Sequence, residues 1–487
     1  MGVDLADDDE RAAVTTRLSQ LYAARPVILA FGVLAVATSV ATWLRGMGCR
    51  VMVVCTTRGA GTLPGGDTVV VEVPAPAAAS ATEELRTHDR LYRTLPDDAV
   101  AAIEAFDPDR EALWIGTPFV TSDEPILGRP VTGGRPGAFL ALEDKLLAEQ
   151  VWAAAGVTAA ASRVVPVERA ALAAASDELA SDLGTVWSGD NRGGFNGGGD
   201  FVRWVRDERD AAAAFAFFAP RCDQVRVLPF LEGVPCSIHG MVLPDGTAAF
   251  RPVEIGVVRD PVRRRFLLGG LSTTWDAPPD DREEMRGVAR RVGEHLRGTH
   301  GYRGAFGIDG VLTAEGFRPT ELNSRMSAGL TAIAEVDRAF FAILQTTLLL
   351  GRDPGVSVTE LESILPLVDA RPVGKPMALL EDLGVGEVDR LPLDWDGGRL
   401  TRVATEPAPY LVELAHTPSG TFARIEPQTL VAPGARVADA TVALLRLLAE
   451  ELPAAARLGL ADYEAAPDVR RLRLLGGLFG ADVSGTT

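Results

Sequence analysis

The sequence has little lysine, little cysteine and no excess of positive charge. Of its 487 residues only Lys145 and Lys375 are lysines, and 48 basic residues stand against 66 acidic ones, which gives a formal net charge of −18. So acidic a chain repels phosphate backbones and anionic membranes, which argues against nucleic acid or a membrane as a partner. Any polyanion that binds must therefore meet a local cluster of donors.

The few cysteines indicate a reducing environment. Their positions, 49, 55, 222 and 236, fit neither a zinc-binding motif nor a disulfide framework. The first 25 residues are polar and charged, and they lack the basic start and apolar core of a signal peptide. We therefore expect a cytoplasmic protein.

One apolar run resembles a membrane span. Residues 26–44 are 19 positions without a charge, close to the roughly 20 that cross a bilayer. We interpret the run instead as a strand at 27–31, a turn at Gly32 and a helix that reaches Arg45, followed at once by a second strand. In such a βαβ unit both faces of each strand are buried, which accounts for the missing charge.

The chain divides into three predicted regions. Further strands at 69–73 and 112–116 complete an open parallel α/β domain over residues 1–138. The motifs that indicate chemistry occupy 139–352. Residues 353–487 mix short strands with apolar helices, and we predict a C-terminal α+β region that lines a substrate pocket or makes an oligomer contact.

Six glycines between 189 and 199 form the first motif. Two β-like runs, 185–187 and 201–205, flank them. This favours a hairpin whose glycine-rich tip lets backbone N–H groups approach an anion without interference from side chains. Hydrogen bonds to a charged acceptor contribute about 1.5–3 kcal/mol each, so several offset the negative charge of the chain. A flexible linker is the alternative, against which Phe195 and the flanking strands argue.

Two further segments suit a nucleotide. Lys145 lies near the start of a predicted helix over 142–157, a position that suits either a phosphate or plain exposure to solvent. Residues 226–233 form a strand that meets an acidic turn. The backbone of such a connector can face an adenine edge and Glu232 a ribose hydroxyl, although the segment alone is an ordinary hairpin.

The most informative motif spans residues 304–329. Its pattern predicts two antiparallel strands, with Asp309 on the outgoing strand and Glu321 and Asn323 on the returning one. The three side chains then point to one face. An all-oxygen cluster suits Mg²⁺, which keeps waters and shares phosphate oxygens with a nucleotide. Arg325 shares this face and can fork onto a phosphate or carboxylate. A charge-paired strand surface is the alternative.

Taken in order, these motifs resemble the ATP-grasp superfamily of carboxylate–amine and carboxylate–thiol ligases. The resemblance covers about 139–350 and is most specific at Asp309, Glu321 and Asn323. It implies a multidomain fold of α/β and α+β parts, in which an ATP-grasp domain with antiparallel sheets follows the N-terminal parallel α/β domain. The length, the N-terminal α/β domain and the sizeable C-terminal extension look more narrowly like the peptide ligases of the pheganomycin type, found in natural-product pathways of actinobacteria.

The resemblance also implies roles for particular residues. Asp309, Glu321 and Asn323 would hold one or two Mg²⁺ ions, or Mn²⁺. Arg325, together with Asn323, would steady the transferring phosphoryl group or the acyl phosphate. The residues that would contact the ATP phosphates are Lys145, Gly193, Gly194, Gly197, Gly198 and Gly199. The residues that would bind the adenosine part are Leu228, Pro229, Phe230, Leu231 and Glu232.

The sequence departs from the superfamily pattern in two places. Many members have a second lysine on the strand that enters the glycine-rich loop, where this chain has none over 186–189. We expect Arg192 or Arg203 to supply that charge. The ribose-binding glutamate usually follows the hinge in a Gly-x-Glu pattern, which 233–235 do not show, and we expect Glu232 to take its place.

The implied activity is ATP-dependent formation of an amide bond. The substrates would be a small carboxylic acid or amino acid and an amine, amino acid or peptide. Transfer of the γ-phosphoryl group gives an acyl phosphate, which the amine attacks, and ADP and phosphate are released. The alternatives are an ATP-grasp ligase or carboxylase with another acceptor, and a degenerate nucleotide-binding scaffold without turnover. A homodimer is the default oligomeric state.

Overall fold

A computed structural model describes residues 2–192, 194–404 and 407–480. Over these ranges the strands form one parallel and two antiparallel sheets, with helices packed against them. This confirms the predicted combination of α/β and α+β parts. None of the helices in the described ranges is both long and apolar enough to cross a bilayer.

The N-terminal part of the chain folds around the parallel sheet. Its elements are α1 (Asp8–Leu18), β1 (Pro26–Val33), α2 (Leu34–Gly46), β2 (Arg50–Thr57), β3 (Val69–Glu72), α3 (Ala81–Arg93), α4 (Asp97–Phe106) and β4 (Leu113–Gly116). The strands lie in the order β3-β2-β1-β4. Most of β1 is buried, which explains the apolar run. The predicted βαβ unit is confirmed, but β1 continues through Gly32, whose φ of +72° accommodates an irregularity in the pairing with β2.

The helix predicted over 142–157 is shorter than expected. A 3₁₀ turn covers Gly137–Glu143, and the Asp144 carboxylate accepts the backbone N–H of Leu146 at 2.9 Å. This Asx-type turn delays the start of the helix α5, which spans Ala148–Ala154. Lys145 therefore lies in the turn before the helix.

A small antiparallel sheet follows. Its elements are β5 (Arg163–Pro166), α6 (Arg169–Leu179), β6 (Thr185–Gly189), β7 (Val202–Val205), α7 (Glu208–Phe218) and β8 (Gln224–Pro229). The strand order is β5-β8-β6-β7. Val225 and Val227 of β8 share a core with Leu172 and Phe218 of the two helices. Arg226 alternates with these valines, so it faces away from the helices and toward the rest of the chain.

The large antiparallel sheet begins directly after the small one. Its first elements are β9 (Val234–Leu243), β10 (Gly246–Ala249), β11 (Val253–Asp260), β12 (Arg265–Ser272), α8 (Pro279–His300), β13 (Gly304–Thr313), β14 (Gly316–Asn323), α9 (Ala328–Ile333) and α10 (Arg338–Leu349). Its strands lie in the order β14-β13-β9-β11-β12, and β10 pairs with β9. The helix α8 packs against β9 and β10, and α9 packs against β11 and β12.

The C-terminal part extends the same sheet. Its elements are α11 (Val358–Glu362), α12 (Leu365–Ala370), β15 (Gly374–Leu380), β16 (Val388–Trp395), β17 (Leu400–Arg402), β18 (Tyr410–Thr417), β19 (Gly420–Glu426), α13 (Val437–Glu451), α14 (Pro453–Arg457), β20 (Glu464–Ala465) and α15 (Val469–Gly480). Because β15 pairs with β12, the sheet continues in the order β12-β15-β19-β18-β16-β17. The division into 1–138, 139–352 and 353–487 stays a prediction.

Candidate active site

The hairpin of β13 and β14 brings the three predicted metal ligands to one face. Asp309 pairs directly with Glu321, and Asn323 pairs with Gly307. The Asn323 amide nitrogen donates to one oxygen of Asp309 at 2.9 Å, and the hydroxyl of Ser237, on the neighbouring β9, donates to the other. The carboxylate of Asp309 is thus held by both neighbouring strands, while Glu321 is left to bond elsewhere.

The partner of Glu321 is Lys145, one of the two lysines of the sequence. Lys145 Nζ lies 2.5 Å from Glu321 Oε2, and the lysine side chain is buried. The structure therefore joins Lys145, from the turn before α5, to the predicted metal ligands. An ammonium group can neutralise and orient a phosphate, and carboxylates beside it can hold the metal ion that the phosphate shares.

Burial and, after it, the negative charge of Glu321 together raise the pKa of Asp309 to about 6. The hydrogen bonds from Ser237 and Asn323 act in the opposite direction because they favour the ionised carboxylate. A cation bound between Asp309 and Glu321 would relieve their repulsion. The oxygen donors and this repulsion fit a divalent cation.

Arg226 supports this group from the small sheet. Its guanidinium donates to the carbonyl of Lys145 at 3.0 Å, to Glu149 at 3.2 Å and to the carbonyl of Thr320 at 2.5 Å. It pairs with Ser188 of β6, in the stretch where the superfamily pattern has its second lysine. Arg226 therefore brings a buried cation to the turn of Lys145 from the neighbouring strand.

The two arginines expected to supply that charge lie elsewhere. Arg192 is exposed and forms an ion pair with Asp223 at 2.7 Å. Arg203 stacks on Phe217, with 3.6 Å from its guanidinium carbon to the ring centroid, and donates to main-chain carbonyls. The structure brings neither of them to Lys145. Sequence analysis missed Arg226, although a lone arginine inside an apolar strand was a signal of a specific partner.

Arg325 joins a second charged group. It forms an ion pair with Glu143, which also pairs with Arg135 at 2.5 Å. Its guanidinium carbon lies 4.9 Å from the ring centroid of Phe195 and 5.2 Å from that of Phe119. Arg325 thus lies just after the end of β14, where it and Arg135 share one carboxylate and face aromatic rings.

The glycine-rich segment docks on helix α3 of the N-terminal part. Arg86 donates to the carbonyls of Phe195 and Gly194 at 2.7 and 3.1 Å, and the Thr82 hydroxyl contacts both backbone polar groups of Gly197 at 2.8–3.0 Å. Thr82 also donates its N–H to Asp200 at 2.8 Å. The segment is therefore held in place by hydrogen bonds, whereas a flexible linker would be free. Gly193 lies outside the described residues.

The predicted hinge lies between the two antiparallel sheets. Leu228 and Phe230 are buried, and Pro229 ends β8. The ring of Phe230 lies 4.6 Å from that of Trp204, centroid to centroid. Leu231 follows, and Glu232 forms a two-oxygen ion pair with Arg259 at 2.9 and 3.0 Å. Glu232 is thus engaged with the large sheet.

A cavity of about 550 Å³ lies at the edge strand β7. It extends from Gly198 and Gly199, both with positive φ, to the stacked rings of Trp204 and Phe266. Its volume lies in the range of small-molecule sites. It therefore connects the glycine-rich segment with the aromatic side chains beside the hinge.

Comparison with solved structures identifies the fold. The sequence matches no protein-family profile and no curated protein. The biotin carboxylase domain dimer of 2-oxoglutarate carboxylase from Hydrogenobacter thermophilus, in complex with MgADP, ADP and bicarbonate, is 15% identical, with 90% of each chain covered and a TM-score of 0.53. The chain has the ATP-grasp fold.

Two other ATP-grasp structures align at lower scores. The N5-carboxyaminoimidazole ribonucleotide synthase of Aspergillus clavatus, complexed with ATP, is 11% identical over 90% of this chain and 99% of its own, with a TM-score of 0.48. The L-amino acid ligase of Bacillus licheniformis is 14% identical over 82% and 92%, with a TM-score of 0.46. At such identities the likeness concerns the fold, and function has to be argued from the residues of the site.

Proposed function

We propose that the protein is an ATP-dependent ligase that joins a carboxylic acid or amino acid to an amine through an acyl phosphate. The main support is the Lys145–Glu321 contact of 2.5 Å beside Asp309 and Asn323, because an ammonium group next to these oxygen-bearing side chains suits a phosphate bound together with a metal ion. The ATP-grasp fold and the MgADP of the biotin carboxylase neighbour agree with ATP and Mg²⁺ as the nucleotide and metal.

The proposed chemistry needs position and charge rather than a protein nucleophile. The acid carboxylate attacks the γ-phosphorus of ATP, the bond from that phosphorus to the bridging oxygen breaks, and ADP leaves. The amine then attacks the acyl carbon, phosphate leaves with the C–O electron pair, and the amine loses a proton. Lys145, Arg226 and Arg325 supply positive charge near the transferring group. Mg²⁺ held by Asp309, Glu321 and Asn323 would neutralise phosphate charge.

The narrower assignment rests on the sequence. We propose a peptide ligase of the pheganomycin type, active in secondary metabolism in the cytoplasm and assembled as a homodimer, with an amino acid or peptide as acceptor. Its support is the chain length, the preceding α/β domain and the C-terminal strands that extend the large sheet. The C-terminal part would line the acceptor pocket.

A second candidate is a nucleotide-binding scaffold without turnover. The absence of a lysine on β6 favours it. Against it stand the complete set Asp309, Glu321 and Asn323 and the buried cation that Arg226 brings to the turn of Lys145. We therefore place catalysis first.

A hydroxylamine trap tests the proposed activity without knowledge of the amine. Hydroxylamine converts an acyl phosphate to a hydroxamate, so the protein is incubated with ATP, Mg²⁺, hydroxylamine and a panel of amino acids and simple carboxylic acids. We expect hydroxamate and ADP in equal amounts with the correct acid. Binding of MgADP by the protein, with no hydroxamate from any acid, would instead favour the scaffold.

The affinity for Mg²⁺ is expected to fall at acid pH. Because the pKa of Asp309 is raised to about 6, protons compete with the metal below that pH, and the affinity in the presence of ADP should drop about tenfold per pH unit. The effect of pH on the stability of the fold has the opposite sign. Because the carboxyl group of Asp309 has a raised pKa in the folded protein, it favours folding at low pH, and this contribution is lost as the pH rises through about 6. Titration calorimetry at pH 5, 6 and 7.5 measures the affinity, and an affinity that does not change with pH contradicts the assignment of Asp309.

A further inference from the structure

A fully buried histidine lies in the sheet next to the proposed metal ligands. His239 of β9 pairs with Gly307 of β13, which in turn pairs with Asn323 of β14. Residues that pair directly across antiparallel strands share a face of the sheet, so the imidazole is on the same face as Asn323. Ser237, two residues earlier on β9, is on this face too and donates to Asp309. His239 therefore belongs to the surface that carries the proposed metal ligands.

The imidazole contacts the segment that links β14 to α9. Its Nε2 lies 3.0 Å from the hydroxyl oxygen of Ser327, a hydrogen-bond distance. Ser327 is at the N-cap position of α9, where a serine hydroxyl usually accepts a backbone N–H of the helix. Here the hydroxyl makes no such bond with the helix. It is directed to His239 instead.

The linking segment is thus fixed at both ends. At its start the Ser324 hydroxyl donates to the carbonyl of Phe139 at 2.7 Å, and at its end Ser327 bonds to His239. Arg325 lies between these two anchors. A side chain that acts on a substrate needs surrounding contacts that fix its backbone. We therefore expect the placement of Arg325 to depend on both anchors.

Two glycines make room for the histidine and the serine. A β-carbon added at Gly307 would lie 2.6 Å from Ser327 Oγ and 3.0 Å from His239 Cδ2. A β-carbon added at Gly329 would lie 2.5 Å from Cε1 and 2.7 Å from Nε2 of His239. A side chain at either position would push the imidazole and the hydroxyl apart. The space around the pair is therefore shaped for this contact.

The pair does not serve the stability of the fold. Nδ1 of His239 is buried and has no partner among the described residues. An unpaired buried polar group costs free energy, and two apolar side chains of similar shape would avoid that cost. A buried polar pair that is unfavourable for stability and lies at a functional site calls for a role in function.

We propose that His239 is a positioning residue, which acts through Ser327 on the segment that carries Arg325. The hydrogen bond to Ser327 keeps the backbone after β14 where the guanidinium can meet the group that is bound beside the metal ligands. The proposal rests on the proposed function for the identity of that group. The placement of the segment does not depend on turnover.

A double variant and a matched control test this role. In His239→Leu combined with Ser327→Ala neither partner is left unpaired, so the fold should lose little stability or gain some. His239→Gln keeps an N–H group that can reach the serine hydroxyl. Ser19→Ala is the control, because the Ser19 hydroxyl is similarly buried but donates to the carbonyl of Thr15 in the N-terminal part.

Four measurements are made on each protein. Thermal unfolding measures stability, and calorimetry measures the affinity for ADP with Mg²⁺. The ³¹P line width measures the binding of inorganic phosphate in the presence of ADP and Mg²⁺. Hydroxamate assays give kcat and the KM for the acid.

In the double variant we expect the unfolding temperature and the ADP affinity to stay near those of the wild type. The kcat for hydroxamate should fall about 10- to 100-fold, as expected when a reacting group is displaced by about 1 Å. His239→Gln should recover part of this loss, and Ser19→Ala should keep the wild-type kcat.

Two results with an active wild type would overturn the proposal. One is an unchanged kcat in the double variant. The other is a loss of stability and of ADP affinity together with kcat, which a purely structural role would cause. If the wild type forms no hydroxamate, weaker phosphate binding in the double variant would support the positioning role and contradict the ligase. Phosphate binding equal to that of the wild type would then overturn the positioning role as well.

Discussion

Replacing Glu321 by alanine is expected to lower hydroxamate formation by about 10²–10³-fold, the usual cost of removing one preorganised charged group from an active site. Two effects contribute. A predicted metal ligand is lost, and Lys145, which is buried against Glu321, loses its counter-charge at the place where phosphate would bind. The measurement is hydroxamate production at saturating ATP and Mg²⁺, together with the Mg²⁺ dependence of ADP binding.

The same hairpin offers a control for this experiment. Glu315 is exposed in the turn between β13 and β14 and accepts a hydrogen bond from Thr313 at 2.9 Å. Glu315→Ala should retain activity within about twofold, as surface substitutions have small effects. Asn323→Ala should resemble Glu321→Ala, since Asn323 also holds Asp309. Full turnover in a folded Glu321→Ala or Asn323→Ala protein would remove the metal assignment.

Replacing Arg226 by glutamine is expected to affect both stability and nucleotide binding. The side chain is only 1% exposed and links β8 to the turn of Lys145 and to β14. Breaking a buried charged contact costs about 3–5 kcal/mol. We expect about 3 kcal/mol here, because Glu149 keeps some access to water. ADP affinity should fall by about tenfold or more, since Lys145 and Glu321 lose their support.

Thermal unfolding and calorimetry with ADP measure these two effects separately. Arg226→Lys keeps the charge without the fork, so its ADP affinity should lie between those of the glutamine variant and the wild type. Arg192→Gln is the matched control, because Arg192 is exposed and pairs only at the surface, and it should behave like the wild type. The role of Arg226 is wrong if the glutamine variant unfolds at the wild-type temperature and binds ADP equally well.

The hairpin of β13 and β14 could be predicted from the sequence because local rules determine it. Residues two apart on a strand share a face, and a short turn fixes the register, so Asp309, Glu321 and Asn323 had to converge once 304–323 formed two paired strands. The apolar run at 26–44 was interpretable for the same kind of reason, because burial of both strand faces leaves a distinct pattern.

The long-range contacts of the site could not be predicted in this way. Arg226 meets Glu149 across 77 residues of sequence, and Arg325 meets Glu143 across 182. No periodicity specifies such contacts. The glycine spacing likewise gave no sign that the segment docks on α3, which lies about a hundred residues earlier. The predicted start of the helix α5 was wrong because a side-chain hydrogen bond at Asp144 competes with the helix.

Because β15 pairs with β12, the last third of the polypeptide completes the sheet that also contains the proposed catalytic groups. A gene truncated ahead of β15 would leave the backbone donors and acceptors of β12 open along residues 270–272, where β15 now pairs. An open edge of this kind invites self-association. Shortened versions of this protein would therefore tend to aggregate, and evolution could diversify the C-terminal part by altering its loops more readily than by discarding it.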